Sequence, residues 1–318
     1  MTTKPTVLVL ADAGDPQLSM LADLPHILVG KPADLGAAAG SPVVILAWSG
    51  PKQLLREVFL GCTDVLWVHS RSAGLDSLLF PELVSSNVPL TNGSGVFSLS
   101  LGEFALAAIL YFAKDFRRMV RNQMAGVWEQ FDVDEIDTQT VGIVGYGDIG
   151  RAVAKRAHPM GMTVLALKRH PPEQADPLVD KFYKQDGLLE MLSRCDYVVV
   201  TAPLTAETRH MISDKEFAAM KPTGVIINVG RGPVIDQAAM VRALKENRIK
   251  GAGLDVFEQE PLPPGDPMYQ LENVLLSPHC ADHTKEWLNR AMRFFLQQYD
   301  RFVNGDPLEN VVNKTLGY

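Results

Sequence analysis

Short apolar runs recur along this chain at a spacing that admits few architectures other than layered α/β. In the first third they are VLVL (7–10), ILV (27–29), VVILAW (43–48), VLWVHS (65–70) and VPLTN (88–92). Gly, Pro and Ser punctuate the intervals. Runs that are apolar throughout, rather than alternating with polar residues, read as parallel strands buried on both faces. A second series follows: VGIVG (141–145), TVLALK (163–168), YVVVTA (197–202), VIINV (225–229), AGLDV (252–256) and VLLSP (274–278). Helical patterns separate its members. Successive strand–helix units are therefore expected, and six strands suit a doubly wound sheet that binds ligands at the carboxyl ends of its strands.

A chain of 318 residues exceeds one ordinary core, so two domains are expected. Between the two series the pattern predicts a helix from about Leu101 to Gln123. Phe104, Leu106, Ala107, Ile109, Leu110 and Phe112 cover most of its circumference. Such a helix is buried between domains or between subunits. Arg117, Arg118 and Arg121 make its last turns polar. Residues 286–303 are again helical, and the strand–helix alternation stops there. This helix is expected to return to the first domain. The reading is residues 1–98 with 285–318 as a discontinuous substrate-binding domain, and 99–284 as a dinucleotide-binding domain.

The apolar fraction of 47% and charged fraction of 21% fit a soluble globular protein. A net charge of −7 argues against a nucleic-acid partner. No apolar run approaches a membrane span. The first strand begins near Thr6, leaving no room for a targeting segment, and a cytoplasmic location is expected. Cys62, Cys195 and Cys280 are unpatterned, which fits a reducing compartment. Cys280 adjoins His279 and is read as a packing residue rather than a nucleophile. No metal site is expected.

The segment Gly145-Tyr-Gly-Asp-Ile-Gly150 has the spacing GxGxxG, after a strand and before a helix over 149–158. Gly145 permits the tight turn, Gly147 lets the backbone approach a pyrophosphate, and Gly150 lets the helix pack close to the strand. The helix N-terminus offers free N–H groups and a positive dipole end. An acidic residue about twenty positions on normally binds a ribose 2′-OH. Here Leu167 is followed by Lys168, Arg169 and His170. Fixed cations suit a 2′-phosphate, so NADP(H) is the expected cofactor, with NAD(H) possible.

Arg231, Glu260 and His279 lie in NVGRGPVID (228–236), GLDVFEQEP (253–261) and SPH (277–279). A guanidinium can hold a carboxylate by paired hydrogen bonds and polarise an adjacent carbonyl. An imidazole titrates near neutrality and can give a proton to a developing alkoxide. A carboxylate beside it favours the imidazolium. Together with a hydride donor, the three residues can reduce a ketone.

These strings, with AGLD (73–76), TNGSGVFSLSLGEFALAAIL (91–110), GYGDIGRAVAKRA (145–157) and CDYVVVTAPLTAET (195–208), closely resemble the D-isomer-specific 2-hydroxyacid dehydrogenase family from about Leu66 onward. The resemblance implies two Rossmann-like domains with doubly wound parallel sheets, the substrate domain closed by the C-terminal helix. It implies a reductase of small 2-oxoacids, glyoxylate and hydroxypyruvate first among them. Arg231 then binds the substrate carboxylate and carbonyl, Glu260 pairs with His279, and His279 is the general acid-base. Asp148 and Ile149 meet the pyrophosphate. Pro203, Thr208, Val229 and Gly230 line the cofactor, and Asp255 lies by its nicotinamide end. Ala73 and Gly74 N–H groups hold the other side of the substrate carboxylate. The resemblance also implies a homodimer through the cofactor domain, with the helix 101–123 and Trp128 as its expected contact.

Some positions depart from the family pattern. Lys168 replaces the usual Asp. Asp282 and His283 replace small residues after His279, and Asp282 is read as the cap of a helix start facing solvent. Two other activities stay open: phosphite or formate oxidation on the same fold, and a nucleotide-sensing co-repressor. Glu260 argues against formate, because formate dehydrogenases of this family carry Gln there.

Overall fold

The computed structural model describes residues 4–76 and 78–318. It contains two compact units, Met1–Phe97 with Lys285–Tyr318, and Ser98–Thr284. Among the described residues no helix is long and apolar enough to cross a membrane, and no group of three or more His, Cys, Asp or Glu residues could hold a metal ion.

The first unit contains β1 (Thr6–Leu10), β2 (His26–Leu28), β3 (Pro42–Ala47), α1 (Lys52–Gly61), β4 (Asp64–Ser70), α2 (Pro81–Ser85) and β5 (Leu90–Thr91). Its sheet is parallel, in the order β2-β1-β3-β4-β5. Val43, Val44, Ile45 and Leu46 are fully enclosed, which is why β3 carries no polar alternation.

The second unit starts with α3 (Ser98–Ala113) and α4 (Phe116–Ala125). The single helix expected over 101–123 is therefore two. Asp115 adopts the left-handed conformation (φ 48°), and its carboxylate accepts from the Arg118 N–H at 3.3 Å, capping a new helix. The break coincides with a change of character: α3 buries Leu101, Ala105, Ile109 and Phe112 among others, whereas α4 buries none of its residues.

The remaining elements are β6 (Thr140–Val144), α5 (Asp148–Ala157), β7 (Thr163–Leu167), β8 (Lys181–Tyr183), α6 (Leu188–Arg194), β9 (Tyr197–Val200), α7 (Asp214–Ala219), β10 (Val225–Asn228), α8 (Gln237–Lys245), β11 (Gly251–Leu254) and β12 (Val274–Leu276). They form a parallel seven-stranded sheet, β12-β11-β10-β9-β6-β7-β8. The order reverses at β6, as in a doubly wound dinucleotide fold. The seventh strand is β8, absent from the sequence reading. It is three residues long, begins with a lysine and lies at the sheet edge, where no long apolar run is needed. The last helix, α9 (Trp287–Asn304), belongs to the first unit.

Candidate active site

The glycine loop joins β6 to α5. Gly145 has φ +98°, and a Cβ there would stand 2.6 Å from the Ala202 backbone, so only glycine fits. Gly147 is the N-cap of α5, with no side-chain cap, and a Cβ on it would meet nothing within 4 Å among the described residues. The first-turn N–H groups of Asp148, Ile149 and Gly150 thus open a ten-residue helix beside free space. That arrangement fits a pyrophosphate. At the end of β7, the Lys168 ammonium lies 5.8 Å from the Tyr146 ring centre. Arg169 forms an ion pair with Glu207, while His170 is exposed. Nothing in the sequence pattern marks Glu207. It brings a carboxylate to the position where cations alone were expected.

The loop after β9 is braced from within. Thr208 Oγ1 donates to Pro203 O at 2.6 Å and accepts from the Thr205 N–H at 2.8 Å, so its hydroxyl shapes the loop. Val229 and Gly230 are buried after β10.

Arg231 stands on a turn bracketed by Asn228. The Asn228 amide donates to Arg231 O and accepts from the Gly230 N–H, both at 3.0 Å. Asn228 sits in the NVGRG string, but only this contact reveals its bracing role. A Cβ on Gly232 would fall 1.9 Å from the carbonyl carbon and oxygen of Phe257. The arginine turn is thereby pressed against the backbone that leads to Glu260.

His279 follows β12 in the left-handed region, φ 51°, where histidine is tolerated better than most residues. Its Nδ1 lies 2.6 Å from Glu260 Oε2, and Glu260 Oε1 accepts from the Phe257 N–H at 2.9 Å. The carboxylate is held at both oxygens, and the pair leaves Nε2 of the imidazole for other chemistry.

Asp255 is 1% exposed. Its Oδ1 accepts from Ser277 Oγ at 2.5 Å, the Cys280 N–H at 2.9 Å and the Ala281 N–H at 3.1 Å. The family resemblance implies a place for this residue by the cofactor. In the structure its carboxylate oxygen is directed at the turn that carries His279. Cys280 itself is exposed.

Asp282 does not cap a helix, because α9 starts at Trp287 with Glu286 at its N-cap. Its Oδ1 is enclosed, has no hydrogen-bond partner among the described residues, and lies 3.6 Å from His283 Nε2. Burial pushes the Asp282 carboxyl above the usual carboxylate range, against the opposing pull of His283 and His279.

In the first unit, Ala73 and Gly74 follow β4. Asn92 Nδ2 donates to Ala73 O at 2.6 Å, and the Gly93 N–H donates to Ser72 O at 3.2 Å. Asn92 is a second bracing residue that strand patterning alone does not reveal.

Residues 106–281 match the model of the family described as D-isomer specific 2-hydroxyacid dehydrogenase, NAD binding domain. The chain is 35% identical over 264 residues to a glyoxylate reductase of Korarchaeum cryptofilum, covering 81% of this chain and 79% of that protein. It is 36% identical over 268 residues to glyoxylate/hydroxypyruvate reductase B of Serratia proteamaculans, covering 82% of each. Among solved structures, the NADPH-dependent glyoxylate/hydroxypyruvate reductase of Sinorhizobium meliloti, in complex with NADP and sulfate, superposes with a TM-score of 0.85 at 26% identity. That match covers 99% of this chain and 100% of that one.

Proposed function

Because this chain belongs to the D-isomer specific 2-hydroxyacid dehydrogenase family, we propose that it reduces a small 2-oxoacid, of the glyoxylate or hydroxypyruvate kind, to the D-2-hydroxyacid. The observation that carries this reading is the Glu260–His279 pair, 2.6 Å apart, with Glu260 anchored on the Phe257 N–H.

The bound nicotinamide cofactor supplies the hydride. Arg231 binds the substrate carboxylate and polarises the carbonyl, a task suited to a planar fork of donors. His279 gives its Nε2 proton to the oxygen that gains charge. Glu260 fixes the ring orientation through Nδ1 and stabilises the charged form of the imidazole. Ala73 and Gly74 supply backbone N–H groups to the carboxylate. Gly145, Gly147, Asp148, Ile149 and Gly150 hold the pyrophosphate, and Pro203, Val229 and Gly230 line the cofactor.

NADPH is the preferred cofactor in this reading, with NADH usable, on the strength of Lys168, Arg169 and His170. The protein works as a homodimer through its second unit. Support for that comes from α4, which buries nothing in its own chain yet exposes Met119, Val120 and Met124 ahead of Trp128.

Steady-state oxidation of NADPH and NADH with a panel of 2-oxoacids tests the reading. Turnover of glyoxylate or hydroxypyruvate is expected, with His279→Ala losing most of it while cofactor still binds. Oxidation of neither cofactor with any 2-oxoacid overturns it.

A further inference from the structure

Glu258 and Glu260 stand two positions apart on one loop, and each takes a histidine from a different segment. Glu260 holds His279. Glu258 holds His210, whose Nε2 lies 2.7 Å from Glu258 Oε1. Both histidines are in the left-handed region, with φ 53° at His210 and 51° at His279. All four residues belong to the second unit. The chemistry proposed above uses only the Glu260–His279 pair.

His210 lies in the connection that follows β9. Its N–H donates to Pro233 O at 2.8 Å, just past Arg231. The contact continues along the chain: the Ile212 N–H donates to Val234 O at 3.2 Å, and the Asp236 N–H donates to Ile212 O at 2.9 Å. The backbone of His210 is thus tied to the arginine turn, while its side chain reaches Glu258. Gln237, the first residue of α8, holds Glu258 from a third direction. The Gln237 N–H donates to Glu258 Oε1 at 3.3 Å, and the Glu258 N–H donates to Gln237 Oε1 at 3.1 Å. These contacts converge on the Phe257–Glu258 peptide. A Cβ on Gly232 would stand 1.9 Å from the Phe257 carbonyl and 2.6 Å from Glu258 N, so the arginine turn rests on this peptide. The Phe257 N–H in turn holds Glu260 Oε1 at 2.9 Å. A displacement of the peptide therefore changes the placement of Arg231 relative to Glu260.

We propose that His210 is a positioning residue: through Glu258 it clamps the Phe257–Glu258 peptide and so sets Arg231 against the Glu260–His279 pair. The inference rests on the proposed reductase activity for the roles of Arg231 and His279, and on contacts within the second unit for the clamp. The side chains of His210 and Glu258 are 46% and 35% exposed, and an ion pair that open adds little to stability. Its effect lies in geometry, because a misplacement of about 1 Å can cost roughly a hundred-fold in rate.

The test compares His210→Ala with His210→Gln in the full-length protein, using glyoxylate and NADPH. Both replacements meet the same left-handed backbone, but Gln keeps a side-chain N–H donor for Glu258. His210→Ala is expected to lower kcat/KM about ten-fold or more, through a lower kcat and a higher KM. His210→Gln should stay within about three-fold of wild type. Glu258→Ala should match His210→Ala, and the double variant should lose no more than either alone, as for two residues that act as one unit. Thermal midpoints should stay within about 3 °C of wild type. Wild-type kinetics in His210→Ala, equal losses in His210→Ala and His210→Gln, or additive losses in the double variant overturn the proposal. Nitrogen NMR of the His279 imidazole, assigned by its loss in His279→Ala, separates the clamp from the reductase reading. The His279 signals should shift in His210→Ala and Glu258→Ala and stay in place in His210→Gln. If no 2-oxoacid is reduced while the signals behave so, the reductase reading fails and the clamp stands. If the signals are the same in wild type and His210→Ala, the clamp fails.

Discussion

Asp255 Oδ1 accepts the hydroxyl of Ser277 at 2.5 Å. The same oxygen takes the N–H groups of Cys280 and Ala281, so one buried carboxylate holds both sides of His279. Charge-assisted bonds of this kind stabilise more than neutral ones, at about 1.5–3 kcal/mol each. Asp255→Asn puts a weaker, neutral acceptor in that place and can set an amide N–H against the same donors. We expect it to destabilise the protein by about 3 kcal/mol and to lower kcat more than it weakens cofactor binding. Denaturant unfolding and cofactor titration check both. A large loss of cofactor affinity at unchanged stability would instead give Asp255 a direct contact with the cofactor.

Gly232→Ala tests how Arg231 is set relative to Glu260. The added Cβ would lie 1.9 Å from two backbone atoms of Phe257, and backbone cannot rotate aside as a side chain does. Overpacking costs about 1–3 kcal/mol. Displacing a binding group by about 1 Å can cost roughly a hundred-fold in rate. Both losses are expected here, read by thermal unfolding and by kcat/KM. Wild-type kinetics in this variant would show that the Arg231 turn tolerates movement.

The parts of this fold that were legible in the sequence are those that repeat. Strands buried on both faces, such as Val225–Asn228, need apolar residues at every position and announce themselves. Edge strand Lys181–Tyr183 has no such requirement and stayed hidden. Asp115 was hidden for another reason: one left-handed residue splits the helix, and hydrophobic periodicity carries no record of a single φ. Glu260 and His279 were legible as members of short strings, and the structure brings them into contact. The partnership of Arg169 with Glu207 was not, because 38 positions separate the two and neither sits in a string that names the other.

Glu207 bears directly on cofactor choice. It pairs with Arg169, one of the cations read as a 2′-phosphate ligand, and its negative charge opposes a phosphate there. An exposed ion pair is worth about 0–1 kcal/mol, which limits the effect to about five-fold. Glu207→Gln should therefore tighten NADPH about three-fold and leave NADH nearly unchanged. Fluorescence titration with both cofactors measures this. Equal changes for the two would detach Glu207 and Arg169 from 2′-phosphate recognition.

The α4 face predicts an oligomeric state. Met124 is 85% exposed and Trp128 95%, and neither supports the fold of its own chain. Large apolar side chains left so open mark an interaction surface, here read as contact with a second copy. Met124→Glu with Trp128→Glu should shift the protein from dimer to monomer in sedimentation velocity, with its circular dichroism unchanged. A wild-type protein that is already monomeric at micromolar concentration would remove the homodimer.

His69 predicts how stability responds to acid. It is 1% exposed among Trp67, Phe294 and Phe295, and burial lowers its pKa to about 3. Trp67 Nε1 donates to Thr91 Oγ1 at 2.8 Å, and Thr91 Oγ1 lies 2.7 Å from His69 Nδ1. That arrangement suits a neutral imidazole accepting the Thr91 proton. The unfolded chain protonates this residue near pH 6.5, and the folded one does not until about pH 3. Between those values the unfolded state binds the extra proton, so stability falls as pH falls. From pH 7 to pH 5 the loss through His69 is about 2 kcal/mol. Unfolding free energies at the two pH values, for wild type and His69→Gln, isolate it as a difference of differences. The variant should lack about 2 kcal/mol of the wild-type acid sensitivity, whatever its stability at pH 7. Identical pH dependence in both proteins would show that His69 is accessible to protons in the folded state.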